Sequence, residues 1–154
     1  MFDAIDIQIL NILQHDARIA NVEIARQVGL APSAVLERVR KLEEGGVIRG
    51  YATEIEAARV GFGLTAFVFV RTSGCRTIDS ALAAIPEVLE VHDVAGEDCY
   101  LLKVRTKDTE ELGKLLRAKL KPIPEIISTR TTVVLETIKE TSVLPIEEFK
   151  KKQK

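Results

Sequence analysis

The 154-residue sequence predicts an α+β protein built from two small domains. Apolar residues recur at three- and four-residue spacing up to residue 46, which is typical of helices, and at two-residue spacing beyond it, which is typical of strands. We therefore divide the chain into a helical domain at residues 1–46, a strand and linker at 47–62, and a domain of mixed strands and helices at 63–154.

The composition is that of a folded, soluble protein, with 46% hydrophobic and 29% charged residues and a net charge of −1. This charge argues against non-specific coating of nucleic acid, although a local basic patch remains possible. No apolar run approaches the roughly 20 residues that span a bilayer, and the N-terminus lacks the basic stretch of a signal peptide. We expect a cytoplasmic protein with no membrane partner.

Metal and cofactor sites are not predicted. Cys75 and Cys99 form neither a metal-ligand nor a disulfide pattern. The sequence also contains no Walker-type loop and no GxGxxG motif, so that we expect neither a metal nor a nucleotide cofactor.

Three helices are predicted in the first domain. Asp3 can cap the first, which runs to His15, and Asn21 can cap the second, which Gly29 ends. Pro32 is placed at the first position of the third, which Gly45 and Gly46 terminate. The apolar residues expected to face inward are Ile5, Ile9, Ile12 and Leu13, then Ile24, Ala25 and Val28, then Val35, Leu36, Val39 and Leu42.

The short break between the second and third helices predicts a helix-turn-helix. A three- to four-residue turn containing glycine sets two helices at a steep angle and leaves the second exposed. Small residues at its start allow close approach to a DNA groove, and the basic residues farther along can reach phosphates or guanine edges. The candidate DNA-binding residues are Ser33, Ala34, Glu37, Arg38, Arg40 and Lys41.

A plain amphipathic helix with a charged solvent face is the alternative. Glu37, Glu43 and Glu44 leave the segment barely basic, and spacing alone does not separate the two interpretations.

The second half of the chain predicts a ferredoxin-like domain. After a short strand at 47–54, the pattern reads β-α-β-β-α-β, an antiparallel sheet with two helices on one face. The predicted elements are strand 64–72, helix 77–85 before Pro86, strands 88–94 and 99–105 around a hairpin, helix 109–120 and strand 125–138.

The first strand of this domain is apolar on both faces. Val68 and Val70 follow Leu64 and Ala66 on one face, and Phe67 and Phe69 lie on the other. Two helices cover only one face, so the other needs a partner, most simply a second copy packed face to face. The resulting two-fold dimer suits a helix-turn-helix, which reads paired half-sites.

Several blocks in order resemble the Lrp/AsnC family of bacterial and archaeal transcriptional regulators, across essentially the whole chain. In the first domain the blocks are residues 6–10, 16–18, 21–25, 28–30 and 38–48, and in the second they are 86–90, 96–97, 100–103 and 129–131. The resemblance implies sequence-specific binding to double-stranded DNA. It also implies homodimers that assemble into tetramers or octamers and a small-molecule effector, usually an amino acid, near the hairpin of the second domain.

The family resemblance also implies an effector site. Gly96 lets the backbone approach a ligand, Glu97 and Asp98 offer acceptors for an ammonium group, and two threonines two apart share one strand face. The candidates are Gly96, Glu97, Asp98, Tyr100, Thr129 and Thr131. An ordinary acidic hairpin beside strand-favouring threonines is the alternative.

Three positions depart from the family pattern. Cys99 stands where many members have aspartate, and the acid one place earlier, Asp98, faces the opposite way on a strand. Ala31 replaces a common capping serine, and Glu37 occupies an often basic position. The first departure puts leucine-type sensing in question, and the third alters base preference or weakens binding.

Two other functions are alternatives. His92, Asp93 and Cys99 could form a nucleophilic site, but no oxyanion-hole motif accompanies them, and we expect no enzyme activity. An architectural DNA-binding protein of the same fold, without an effector, is the other alternative.

Overall fold

A computed structural model describes residues 2–74 and 78–146, which form two units. The helical unit comprises residues 2–54 together with 139–146, and the sheet unit is Ile55–Ile138. The sequence-based division kept residues 63–154 together, whereas the contacts group 139–146 with the helices. Cys75 and Thr77 lie outside the described residues.

The helical unit contains the three predicted helices, α1 (Ala4–His15), α2 (Asn21–Val28) and α3 (Pro32–Glu44). Asp3 caps α1 through a capping box with Asp6, and Pro32 opens α3 as predicted. The prediction that Asn21 caps α2 was wrong, because Asn21 is already helical and the cap is Ala20, whose side chain cannot accept a hydrogen bond.

The core of the helical unit joins all three helices. Its buried residues are Ile9 and Leu10 of α1, Ile24 and Ala25 of α2, and Val35, Val39 and Leu42 of α3. The prediction that Leu36 faces inward was wrong, since 56% of it is exposed. Val35, Val39 and Leu42 already fill the inward stripe at spacings of four and three, and Leu36 falls one residue, or about 100°, to its side.

The C-terminal segment at residues 139–146 completes this unit. Ile146 packs against the helical core. Gln14 of α1 pairs with the backbone of Leu144, accepting from its N–H at 2.7 Å and donating to its carbonyl at 3.2 Å.

Residues 47–54 do not form the predicted strand. A strand needs a pairing partner for its backbone groups, and none of the described strands pairs with this segment. Instead, the Tyr51 hydroxyl donates to Glu43 of α3 at 2.8 Å, and a 3-10 turn at Ala57–Val60 precedes the sheet.

The sheet unit has the predicted ferredoxin-like order. The elements are β1 (Leu64–Thr72), α4 (Asp79–Ala83), β2 (Val88–Asp93), β3 (Tyr100–Thr106), α5 (Thr109–Leu115) continued by a π-helical turn (Leu116–Leu120), and β4 (Ile126–Val133). The four strands are antiparallel neighbours in the order β2-β3-β1-β4.

Two predicted elements of the sheet unit are too long. The strand predicted at 125–138 ends at Val133. Among the described strands it pairs with β1 alone, which begins at Leu64, and Val134 donates to the Thr65 carbonyl just past the paired stretch. Of the helix predicted at 77–85, residues Asp79–Ala83 form α4, which ends before Pro86.

The two faces of the sheet differ as predicted. Ala66, Val68 and Val70 are fully buried beneath the helices, together with Leu102 and Val104 of β3. We call the other side the open face. It carries Phe67 and Phe69 of β1 and Leu101 of β3, all half-buried.

No helix in the described part of the chain is both long and apolar enough to cross a membrane.

Candidate functional site

The turn between α2 and α3 has the geometry of a helix-turn-helix. Gly29 ends α2 with a φ of 70°, the left-handed conformation that glycine adopts without strain, and Leu30 N–H donates to Ala25 at 3.0 Å. Ala31 then caps α3 and Pro32 follows it. Three residues therefore separate the two helices, as the sequence predicts.

The outer face of α3 is largely exposed. Ser33, Glu37, Arg40 and Lys41 are exposed, and Ala34 is half-buried. Five of the six residues predicted to bind DNA thus lie along the accessible part of this helix; the sixth, Arg38, is 30% exposed and is held in an ion pair.

The charges on this outer face form loose pairs with one another. Glu37 accepts from Arg40 at 3.2 Å and lies 3.6 Å from Lys41, and Arg40 lies 3.7 Å from Glu44. Exposed pairs of this kind contribute at most about 1 kcal/mol, so phosphate groups can compete for the two basic side chains. The same contacts are expected for the predicted alternative, a plain amphipathic helix with a charged solvent face.

Arg38 has different partners. One of its guanidinium nitrogens, Nη1, lies 2.8 Å from Asp3 Oδ2 and 2.6 Å from Asp6 Oδ1, both at the start of α1. The pKa of Asp3 is lowered, first by the hydrogen bond from the Asp6 backbone N–H and then by Arg38, and the two aspartates raise the pKa of Arg38.

The two helices of the turn also carry two exposed apolar residues that were not predicted as site residues. Leu36 of α3 is 56% exposed and Val22 of α2 is 67% exposed. The helical phase could have identified Leu36, because it lies three residues after Ser33 and four before Arg40, on the same outward face.

The hairpin between β2 and β3 carries the predicted effector residues. Val94 N–H donates to Cys99 at 3.0 Å and Cys99 N–H to Val70 at 2.9 Å, which fixes the base of the hairpin. Gly96 and Glu97 are exposed at its tip. A Cβ added at Gly96 would have no neighbour within 4 Å among the described residues. The space beside Gly96, where the backbone was predicted to approach a ligand, is therefore open.

Asp98 connects the hairpin to β4. Its carboxylate accepts from Arg130 at 2.9 Å, and the Arg130 guanidinium lies 4.1 Å from the centre of the Phe69 ring. Arg130 was not predicted, although it lies between the two threonines that were.

Tyr100 lies on the other side of the sheet. It is 1% exposed, and its hydroxyl donates to Asp79, the first residue of α4. Thr129 pairs with Val70 and Thr131 with Val68, so that both threonines share the helix-covered face with Tyr100. The predicted set is thus split between the exposed hairpin tip, the Asp98 contact with Arg130, and the helix-covered face.

The residues of the alternative nucleophilic site do not converge. His92 and Asp93 are consecutive in β2 and face opposite sides of the sheet, and Cys99 packs against the core beneath the helices. His92 lies 3.1 Å from Glu90, which also lies 3.2 Å from Lys103. The described residues contain no cluster of three or more metal-ligating side chains.

Two family models match most of the chain. The AsnC-type helix-turn-helix domain matches residues 2–43, and the Lrp/AsnC ligand binding domain matches residues 65–144.

Curated relatives align along nearly their full length. The HTH-type transcriptional regulator FL11 of Pyrococcus horikoshii is 39% identical over 94% of this chain and 96% of its own. The leucine-responsive regulatory protein of Escherichia coli is 40% identical over 94% and 91%.

Solved structures share the whole architecture. A transcriptional regulator from Neisseria meningitidis, in complex with L-Met, superposes with a TM-score of 0.91 at 31% identity and covers 97% of this chain and 99% of its own. AsnC of E. coli superposes with a TM-score of 0.86 at 29% identity, covering 93% and 98%.

Proposed function

The chain belongs to the Lrp/AsnC family of transcriptional regulators, and from this membership we propose that it acts as a homodimer whose binding to DNA responds to an amino acid. The observation that carries the proposal is α3, whose inner face is packed through Val35, Val39 and Leu42 while its outer face stays free. A helix presented in this way fits the major groove of duplex DNA.

The charges of α3 suit phosphate and base contacts. Arg40 and Lys41 exchange weak pairs with glutamates for contacts to phosphate, and the small residues Ser33 and Ala34 allow the helix start to approach the bases. Glu37 then becomes available to accept from cytosine N4.

A second copy of the chain is the partner of the open face. Phe67, Phe69 and Leu101 leave an apolar surface opposite the helices, and a face-to-face sheet pair buries it in both copies. The dimer carries two copies of α3, which match half-sites spaced about 34 Å apart along DNA. Tetramers or octamers arise when such dimers associate further.

The ligand of the sheet unit is an amino acid, held at the hairpin between β2 and β3. The Neisseria relative with the same fold is a complex with L-Met, which supports this class of ligand. We assign the contacts to Gly96, Glu97 and Asp98 on the hairpin. Thr129 and Thr131 face the helix-covered side of the sheet, so we leave them out of this site. Tyr100 is also left out of the site, because it is buried and its hydroxyl donates to Asp79.

The proposed function also bears on where the protein is located in the cell and on whether it is an enzyme. A regulator must reach its DNA, and we infer a cytoplasmic protein for that reason. We also infer that the protein is not an enzyme, because His92 and Cys99 lie on opposite sides of the sheet.

A DNA-binding titration tests the proposal. A preferred duplex is first selected from random sequences, and its affinity is compared with that of a random duplex across salt concentrations. The expected result is a specificity ratio of about 10³ or more for the selected duplex. Equal affinity for both duplexes would contradict a sequence-specific regulator.

The ligand half is tested by titrating the common amino acids by calorimetry and by sedimentation. Heat release with one amino acid, together with a change of oligomer size or DNA affinity, is expected. If specific DNA binding is observed and no amino acid has an effect, the protein is an architectural or constitutive member of the family.

A further inference from the structure

At the start of α1, the capping box leaves one oxygen of each of two carboxylates available to another partner. Asp3 Oδ1 accepts from the backbone N–H groups of Ile5 and Asp6, at 2.8 and 2.9 Å, and Asp6 Oδ2 accepts from Asp3 N–H at 3.1 Å. The capping box thus occupies one oxygen of each acid and fixes both side chains. Their other oxygens, Asp3 Oδ2 and Asp6 Oδ1, face Arg38.

Arg38 reaches this pair from the middle of α3, more than thirty residues away in sequence. The same nitrogen donates to both acids at 2.8 and 2.6 Å, and the side chain of Asp6 is only 17% exposed. By contrast, Arg40 and Lys41 meet glutamates of their own helix at 3.2 to 3.7 Å and are mostly exposed. Short contacts to two fixed partners are harder to release than loose contacts to exposed, mobile partners.

We propose that Arg38 is a positioning residue that fixes the orientation of α3 on α1, and that it does not contact DNA. We call its contacts with Asp3 and Asp6 the Arg38 latch. The inference rests on the proposed function, in which α3 reads the major groove. It replaces the prediction that Arg38 binds phosphate or guanine.

The latch and a DNA contact predict opposite effects when the two acids are neutralised. The variant carries Asp3→Asn and Asp6→Asn, because asparagine keeps the capping acceptors and removes only the charges. If Arg38 positions α3, the ratio of selected-duplex to random-duplex affinity falls by about three- to tenfold. If Arg38 instead contacts DNA, the variant frees its guanidinium, the ratio of the two affinities does not fall, and the latch is disproved.

Glu44→Gln is the matched control. It removes an acid of α3 whose contact with Arg40 is 3.7 Å, and we expect both affinities to rise slightly while their ratio stays constant. A fall of the ratio in this control as well would assign the effect to charge alone and overturn the latch.

Arg38→Gln supplies a second measurement. A residue that contacts phosphate lowers the salt slope of DNA binding by about one when it is removed, whereas a positioning residue leaves the slope unchanged. We expect an unchanged slope, a lower specificity ratio, and no further loss when the aspartate changes are combined with Arg38→Gln. An additive loss or a reduced slope would disprove the latch.

All variants are compared at a temperature where circular dichroism shows them to be folded. Absence of specific binding by the unmodified chain would refute the proposed function itself, before any variant is considered.

Discussion

The buried hydroxyl of Tyr100 donates a hydrogen bond to the carboxylate of Asp79 and so joins β3 to the first residue of α4. The family resemblance predicts Tyr100 as an effector residue. Its 1% exposure and its partner give it a structural role within the core of the sheet unit.

We predict that Tyr100→Phe lowers the free energy of unfolding by about 1–2 kcal/mol, because a buried hydrogen bond to a carboxylate is lost while the ring remains. Urea denaturation measures the change. Amino-acid affinity should be unaffected; a loss of affinity with unchanged stability would return Tyr100 to the ligand site.

The ion pair between Glu23 and Arg26 on α2 gives a pH dependence. Two hydrogen bonds from Arg26, at 2.6 and 3.0 Å, together with one from Gln27, lower the pKa of Glu23 from 4.5 to about 2. The unfolded chain therefore takes up this proton first, and the stabilisation is complete above pH 4.5 and lost as the pH falls toward 2.

Glu23→Gln tests this dependence, since glutamine cannot titrate. The stability difference between the unmodified protein and the variant should be constant above pH 5 and shrink between pH 4.5 and pH 2. A difference that does not change over this interval would show that the pair contributes nothing in solution.

The parts of the fold that the sequence predicted correctly depend on local signals. Asp3, Gly29 and Pro32 act on residues within one turn of themselves, and they mark the ends of α1, α2 and α3. The alternation of Val68 and Phe69 is also local, and it separated the two faces of the sheet.

The parts that were wrong or missed depend on partners far along the chain. The segment at 47–54 has strand-like composition but pairs with none of the described strands. Gln14 meets Leu144 across 130 residues, and Arg38 meets Asp6 across 32. No periodicity within a short window reports such contacts, and the candidate effector residues were split for the same reason.

Ile146 yields a prediction about the C-terminal segment. Because its side chain packs against the core of the helical unit, Ile146→Ala should lower the free energy of unfolding by about 1–2 kcal/mol, which is less than for a fully buried isoleucine. Hydrogen exchange of the α1 amides should accelerate.

Leu144→Ala is the control, because Leu144 is exposed and meets Gln14 only through its backbone. We expect almost no change. Equal effects of the two substitutions would mean that side-chain packing by Ile146 does not hold the segment.

The open face of the sheet predicts the effect of a charge on assembly. Phe69→Asp replaces an aromatic ring of the open face with a carboxylate beside Arg130, and the loss of apolar area together with the desolvation of this charge should prevent the proposed dimer. Sedimentation velocity should show a folded monomer. Val22→Asp adds the same charge at an exposed apolar position on α2 and should leave the dimer intact.

Leu36 is the candidate for apolar base recognition. Of the outward residues of α3, it is the large one that carries no charge, and its exposure of 56% in an otherwise polar face is unexplained by packing within the helical unit. Apolar side chains in the major groove contact the methyl group of thymine. We therefore predict that Leu36→Ala loses preference for thymine at one position of each half-site, with little change in stability because alanine favours helices.

The measurement combines the variant with duplexes in which single thymines of the selected site are replaced by uracil, which lacks only the methyl group. At one position the uracil duplex should weaken the unmodified protein and leave the variant unaffected. Equal losses for both proteins at every position would show that Leu36 reads no methyl group, and the helix would then discriminate bases through its polar residues alone.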